Sequence, residues 1–124
     1  MPIFKTVARI LFAAFFVFTG VSHFTHRDFF VAIVPPYLPW PVALVCVSGA
    51  AEILLGALLM LPQTSRLAGW GLIALLIAVF PANVHMAVHP GLYPTIPPAA
   101  LLIRLPLQGV LIALAYWFAR PAGR

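Results

Sequence analysis

The chain has 124 residues, 64% of them hydrophobic and only 7% charged, and its mean hydropathy is +1.10; a soluble fold of this size would lack the polar atoms to cover its surface. The net charge of +5 does not indicate nucleic acid as a partner, because Lys5, Arg9, Arg66, Arg120 and Arg124 fall near the ends of apolar runs and not along one basic face. The single cysteine, Cys46, rules out an internal disulfide and C-x-x-C chemistry within the chain, and reads as a small helix-packing residue.

The expected architecture is all-α: a four-helix transmembrane bundle in one domain, with the lipid bilayer as its first partner. Lys5 and Arg9 precede ILFAAFFVFTGVS, which predicts a first span over about 4–24. Gly20, Val21 and Ser22 also offer the small residues of a signal-peptide cleavage site, but cleavage there would strip three further spans of their first packing partner. In HFTHRDFFVAIVPPYLPWP, the prolines at 35, 36, 39 and 41 forbid a continuous span. Asp28 is placed to cap a short helical turn that Pro35 stops. Tyr37 and Trp40 then mark about 27–41 as an interfacial segment.

PVALVCVSGAAEILLGALLMLP predicts the second span, about 42–61, and Glu52 stands ~15 Å beyond Val42, half-way across a ~30 Å hydrocarbon core. A lone acid at that depth costs roughly 2.5–3.5 kcal/mol, so it should face other helices, find a partner or be protonated. Gly49, Glu52 and Gly56 share one face, which lets a neighbouring helix approach the acid. The turn QTSR leads to a third span over about 67–88, where Pro81 frees the carbonyl one turn back and should bend the helix near Asn83. VHPGLYPTIPP forms a second proline-rich loop. The last span, about 98–119, carries Arg104 and Gln108 on one face and closes on Tyr116 and Trp117.

Lys5, Arg9, Arg66, Arg120 and Arg124 fall on one side of this four-span arrangement, and Arg27 and Arg104 on the other. Both termini are therefore expected in the cytoplasm, with both proline-rich loops facing outward, and the expected location is the cytoplasmic (inner) membrane of a bacterium. A short internal repeat accompanies the pattern. Each half is an outgoing helix ending in a histidine pair (His23 and His26; His85 and His89), a Pro/Tyr loop, and a returning helix opening PVALV or PAALL.

Counted from the outer ends, Asn83 lies ~6 Å deep, Arg104 ~9 Å and Glu52 ~15 Å, a difference that an arginine side chain can span. An Arg104–Glu52 pair is expected, with Gln108 and Asn83 supplying further hydrogen bonds. Such a pair has two readings of equal weight: a device that fixes helix register, or one wall of a ligand site. His23-x-x-His26 and His85-x-x-x-His89 have spacings that metal sites use. Against a metal, Pro90 ends the helix after His89 and Asp28 is the one carboxylate nearby; a bis-histidine haem between His23 and His85 is weaker still. There is no phosphate-binding glycine loop, no G-x-S-x-G and no H-E-x-x-H, so no catalytic residue is assigned.

Gly20-Val21-Ser22-His23-Phe24, Val34-Pro35 with Leu38-Pro39, Ser48-Gly49-Ala50-Ala51-Glu52 with Gly56, Phe80-Pro81-Ala82-Asn83 with Met86, and Arg104-Leu105-Pro106-Leu107-Gln108, in this order, resemble the DoxX-like small membrane proteins over nearly the whole chain. The resemblance implies a four-helix membrane bundle, places His23, Glu52, Asn83, Arg104 and Gln108 at family motif positions, and implies association with quinone-linked or thiol-linked redox complexes. Having only Cys46, this chain departs from the thiol-exchange roles suggested for some relatives. Two functions remain open: an accessory or assembly subunit that binds other membrane proteins or its own copies through small-residue faces, and a redox protein whose outer-half cavity, lined by Glu52, Arg104, Gln108 and His23, holds a quinone or similar small ligand. A small-solute transporter is a third reading.

Overall fold

The computed structural model describes residues 2–94 and 96–120, and among these it is all-helical, with no strand. Helix α1 spans Ile3–Thr25, a short α2 spans Arg27–Ala32, α3 spans Pro41–Leu59, α4 spans Ser65–Val88 and α5 spans Pro98–Ala119. Four of them, α1, α3, α4 and α5, are long and apolar enough to cross a membrane; at 1.5 Å per residue they measure ~29–36 Å.

Proline sets most of the boundaries. Pro41 and Pro98 occupy the first turns of α3 and α5, where a missing N–H is harmless, and Pro90 follows the end of α4 in a single 3-10 turn, Pro90–Leu92. Pro81 and Pro106 lie inside α4 and α5, and each removes one intrahelical hydrogen bond. Between Pro39 and Pro41, Trp40 takes φ 51° and ψ 60° at the N-cap of α3, a left-handed conformation that costs a residue with a Cβ about 1–2 kcal/mol. The expectation that Asp28 caps α2 is corrected. His26 holds the N-cap position without a side-chain bond, and Asp28 lies inside the first turn.

The most extensive helix contacts join α1 to α3 and α4 to α5, and a smaller contact joins α3 to α4. The chain is thus two hairpins side by side, hairpin 1 (α1–α3) and hairpin 2 (α4–α5). Hairpin 1 closes on glycine: a Cβ at Gly20 would lie 2.7 Å from the carbonyl oxygen of Gly49, and one at Gly56 3.0 Å from that of Ala13. In hairpin 2, a Cβ at Gly69 would lie 2.9 Å from the carbonyl oxygen of Ala115.

The main apolar core sits at the end of the bundle that carries the termini. Phe12 and Phe16 of α1, Leu59 of α3, Leu72 and Leu76 of α4, and Phe118 of α5 pack together there, with the Phe12 and Phe118 rings edge to face at 5.4 Å. At the opposite end Met86, Tyr93 and Leu101 form a smaller cluster with Ile33 and Ile96. Here the two proline-rich loops meet, the Tyr37 ring lying 5.3 Å from that of His85.

Polarity is reversed relative to a soluble fold. Ile3, Phe18 and Leu67 are 83%, 71% and 70% exposed, whereas Lys5, Arg9 and Gln108 are 5%, 2% and 3% exposed. Lys5 and Arg9, read from the sequence as charges marking a helix end, instead turn inward. Arg9 Nη1 donates to the carbonyl of Leu59, the last residue of α3, so a cation meets the negative end of that helix. Lys5 Nζ lies 5.7 Å from the centre of the Trp117 ring.

Candidate functional site

The polar side chains singled out in the sequence fall into two clusters, one in each hairpin. In hairpin 1, His23 near the end of α1 faces Glu52 in the middle of α3, with Nε2 2.9 Å from Oε2. Glycine makes this approach possible, because a Cβ at Gly49 would lie 2.6 Å from the Cβ of His23. Glu52 Oε1 accepts from Thr19 Oγ1 at 3.2 Å. The other imidazole nitrogen, Nδ1, lies 3.0 Å from the carbonyl oxygen of Val45 and 3.1 Å from Ser48 Oγ, while Phe30 of α2 covers the ring at 4.2 Å between centroids.

This geometry constrains the protons. The Val45 carbonyl can only accept, so Nδ1 carries a hydrogen. The approach of Nε2 to Oε2 then suits imidazolium with carboxylate, or neutral imidazole with carboxylic acid. A neutral Nδ1–H imidazole facing an ionised carboxylate would set two lone pairs against each other at 2.9 Å. Both allowed states have zero net charge, which relieves the cost of a lone acid in apolar surroundings.

In hairpin 2 the bonds run in one direction. Gln108 Nε2 donates to the carbonyl of Leu76, in the turn preceding Pro81; Asn83 Nδ2 donates to Gln108 Oε1; and Arg104 Nε donates to Asn83 Oδ1 at 3.2 Å. Gln108 is buried at the root of this ladder and the half-buried Arg104 ends it. The guanidinium is thereby tethered through its Nε edge.

The expected Arg104–Glu52 pair does not form. Glu52 lies on α3 and Arg104 on α5, and the extensive helix contacts join α1 to α3 and α4 to α5. Arg104 is taken up by α4 within its own hairpin, and Glu52 is satisfied by α1, which the glycines bring close. Among the described residues no hydrogen bond or ion pair joins the two clusters. Sequence reasoning missed Thr19 and Ser48. Thr19 stands one turn before His23 on the same face of α1, a spacing that could have revealed it.

The histidine pairs do not converge on a metal. Both nitrogens of His23 are engaged, which leaves neither for haem iron. His26 Nδ1 lies 3.0 Å from Thr25 Oγ1, and the His85 and His89 rings lie tilted at 35° with centroids 4.4 Å apart. Among the described residues no three His, Cys, Asp or Glu side chains group to hold a metal ion. A shallow cavity of about 370 Å³ lies where α1 meets α2, lined by Phe24 to Phe29, and includes none of the expected ligand-binding residues.

Comparison with curated proteins and with solved structures returned no match. Residues 12–119, which contain both polar clusters and all four long helices except the first turns of α1, match the family described as Domain of unknown function (DUF8561), and the chain belongs to that family.

Proposed function

We propose that this chain is an integral membrane protein acting as an accessory or assembly subunit, which joins other membrane helices through the exposed face of α5. Apolar side chains outside and cations inside support a bilayer as its surroundings. The observation that carries the subunit role is Gly109. It lies in the interior of α5, where glycine costs about 1 kcal/mol relative to alanine, and a Cβ there would meet nothing within 4 Å. Gly20, Gly49, Gly56, Gly69 and Gly71 each have neighbours within the chain, so Gly109 is the membrane-depth glycine left for an outside helix. Exposed Ala113 stands one turn further on, and exposed Leu102, Pro106 and Val110 flank the pair, so two small residues one turn apart give a partner helix a place for close approach.

Resemblance to the DoxX-like proteins supports a redox complex as the destination, and the distribution of basic residues supports both termini in the cytoplasm. A quinone site built from Glu52, Arg104, Gln108 and His23 would need both clusters to line one cavity, and among the described residues no hydrogen bond or ion pair joins them. Assembly is therefore the preferred reading. It is tested by alkaline carbonate fractionation followed by isolation in mild detergent. The wild-type chain should stay with the membrane and carry a stoichiometric membrane partner that Gly109→Leu loses while keeping its helicity. Recovery of wild type and variant alike as the bare chain overturns the subunit role.

A further inference from the structure

The loop end of the bundle holds one half-buried arginine that has no countercharge among the described residues. The chain has two acidic residues. Glu52 is engaged by His23 and Thr19, and Asp28 is exposed on α2; the one ion pair among the described residues is His23–Glu52. Arg104 is half-buried and has no carboxylate. Of its five N–H donors, the one on Nε is used by Asn83, and the four on Nη1 and Nη2 find no acceptor among the described residues. A guanidinium never loses its charge, and an uncompensated charge in apolar surroundings is costly.

We propose that Arg104 is an oxyanion site, whose Nη edge holds the phosphodiester of a phospholipid headgroup or the same chemistry presented by a free phosphate. The site rests on the membrane reading above. Arg104 lies six residues into α5, ~9 Å from its start, within reach of headgroup phosphates for a side chain extended toward the loops. The planar fork of two Nη groups matches two oxygens of one phosphate. The ladder below it, from Leu76 through Gln108 and Asn83, consumes only the Nε edge and so aims the opposite edge outward. Among the described residues, neither of two other arginines, Arg9 and Arg27, has this arrangement. Arg9, at the opposite end of the bundle, is fully buried with Nη1 on the carbonyl of Leu59, and Arg27 is exposed at the start of α2.

The test uses the full chain, labelled with ¹⁵N-arginine and purified in a phosphorus-free maltoside detergent. Phosphatidylglycerol, inorganic phosphate or uncharged diacylglycerol is added in separate titrations. Expected is a saturable shift of the Arg104 Nη resonances with phosphatidylglycerol and none with diacylglycerol. Affinity should fall about tenfold or more in Arg104→Gln, fall less in Arg104→Lys, and be unchanged in Arg27→Gln. A shift with phosphatidylglycerol alone assigns a lipid headgroup, and an equal shift with inorganic phosphate assigns a free oxyanion. Absence of any shift, or an equal shift with diacylglycerol, overturns the site. Should Arg104→Gln fail to fold, the wild-type resonances still decide, and Asn83→Leu, which removes the tether, should weaken the shift. Carbonate fractionation reports on membrane embedding separately, so loss of the site is distinguishable from loss of that reading.

Discussion

The two hairpins solve one problem in opposite ways. Each places a charged side chain at depth among apolar helices, but hairpin 1 neutralises its acid internally, through His23 2.9 Å away, whereas hairpin 2 tethers its cation to the Asn83 amide, itself bonded to Gln108, and supplies no countercharge. Glycine accounts for part of the difference. Gly20 and Gly49 bring α1 against α3 closely enough for an imidazole to meet a carboxylate, so that cluster is closed. Across α4 and α5 the polar groups are neutral amides, and the charge at the end of the ladder stays open. A closed pair of zero net charge suits register and stability; an open cation suits recognition.

Breaking hairpin 1 at its seam should have the largest effect. Gly20→Val would drive side-chain carbons into the Gly49 carbonyl oxygen, 2.7 Å from the first added atom, and should lower stability by about 3 kcal/mol or more, or abolish folding, as read by thermal unfolding in detergent. Separating the clusters comes next. A double-mutant cycle of His23→Ala with Glu52→Ala should show a coupling of about 1–3 kcal/mol, and the cycle of Glu52→Ala with Arg104→Ala should show less than about 0.5 kcal/mol. A large coupling in the second cycle would refute the division of the site.

At the exposed face of hairpin 2, Gly109→Ala should raise the stability of the isolated chain by about 0.5–1 kcal/mol, because nothing obstructs the methyl group and helix propensity improves. A loss there would mean that the face is already filled. The smallest expected effect concerns the loop end. Burial, with Tyr37 nearby, pushes the Tyr93 phenol above its ordinary range. The folded state then holds its proton after the unfolded state has released it, so stability should fall as pH rises past about 10. Alkaline melting curves of Tyr93→Phe should decline less steeply than those of wild type.

The sequence alone determined that the chain is helical, that four of its helices are long and apolar enough to cross a membrane, and which polar side chains lie within those helices. Composition, the prolines at 35, 41, 90 and 98, and the isolation of Glu52 and Arg104 in apolar runs are local properties, and local properties survive without knowing the neighbours. Helical spacing also placed Gly49, Glu52 and Gly56 on one face, and Arg104 with Gln108 on another.

Only the tertiary structure decided which polar groups meet. Depth along a helix can be counted from its end, but the partner depends on rotation about the axis and on which helices touch. The seam of Gly20 and Gly49 gave Glu52 to His23, and the packing of α5 on α4 gave Arg104 to Asn83. Lys5 and Arg9 show the same limit: their position near a helix end was legible, and their inward turn, toward Trp117 and the carbonyl of Leu59, depended on chain segments more than 40 residues away.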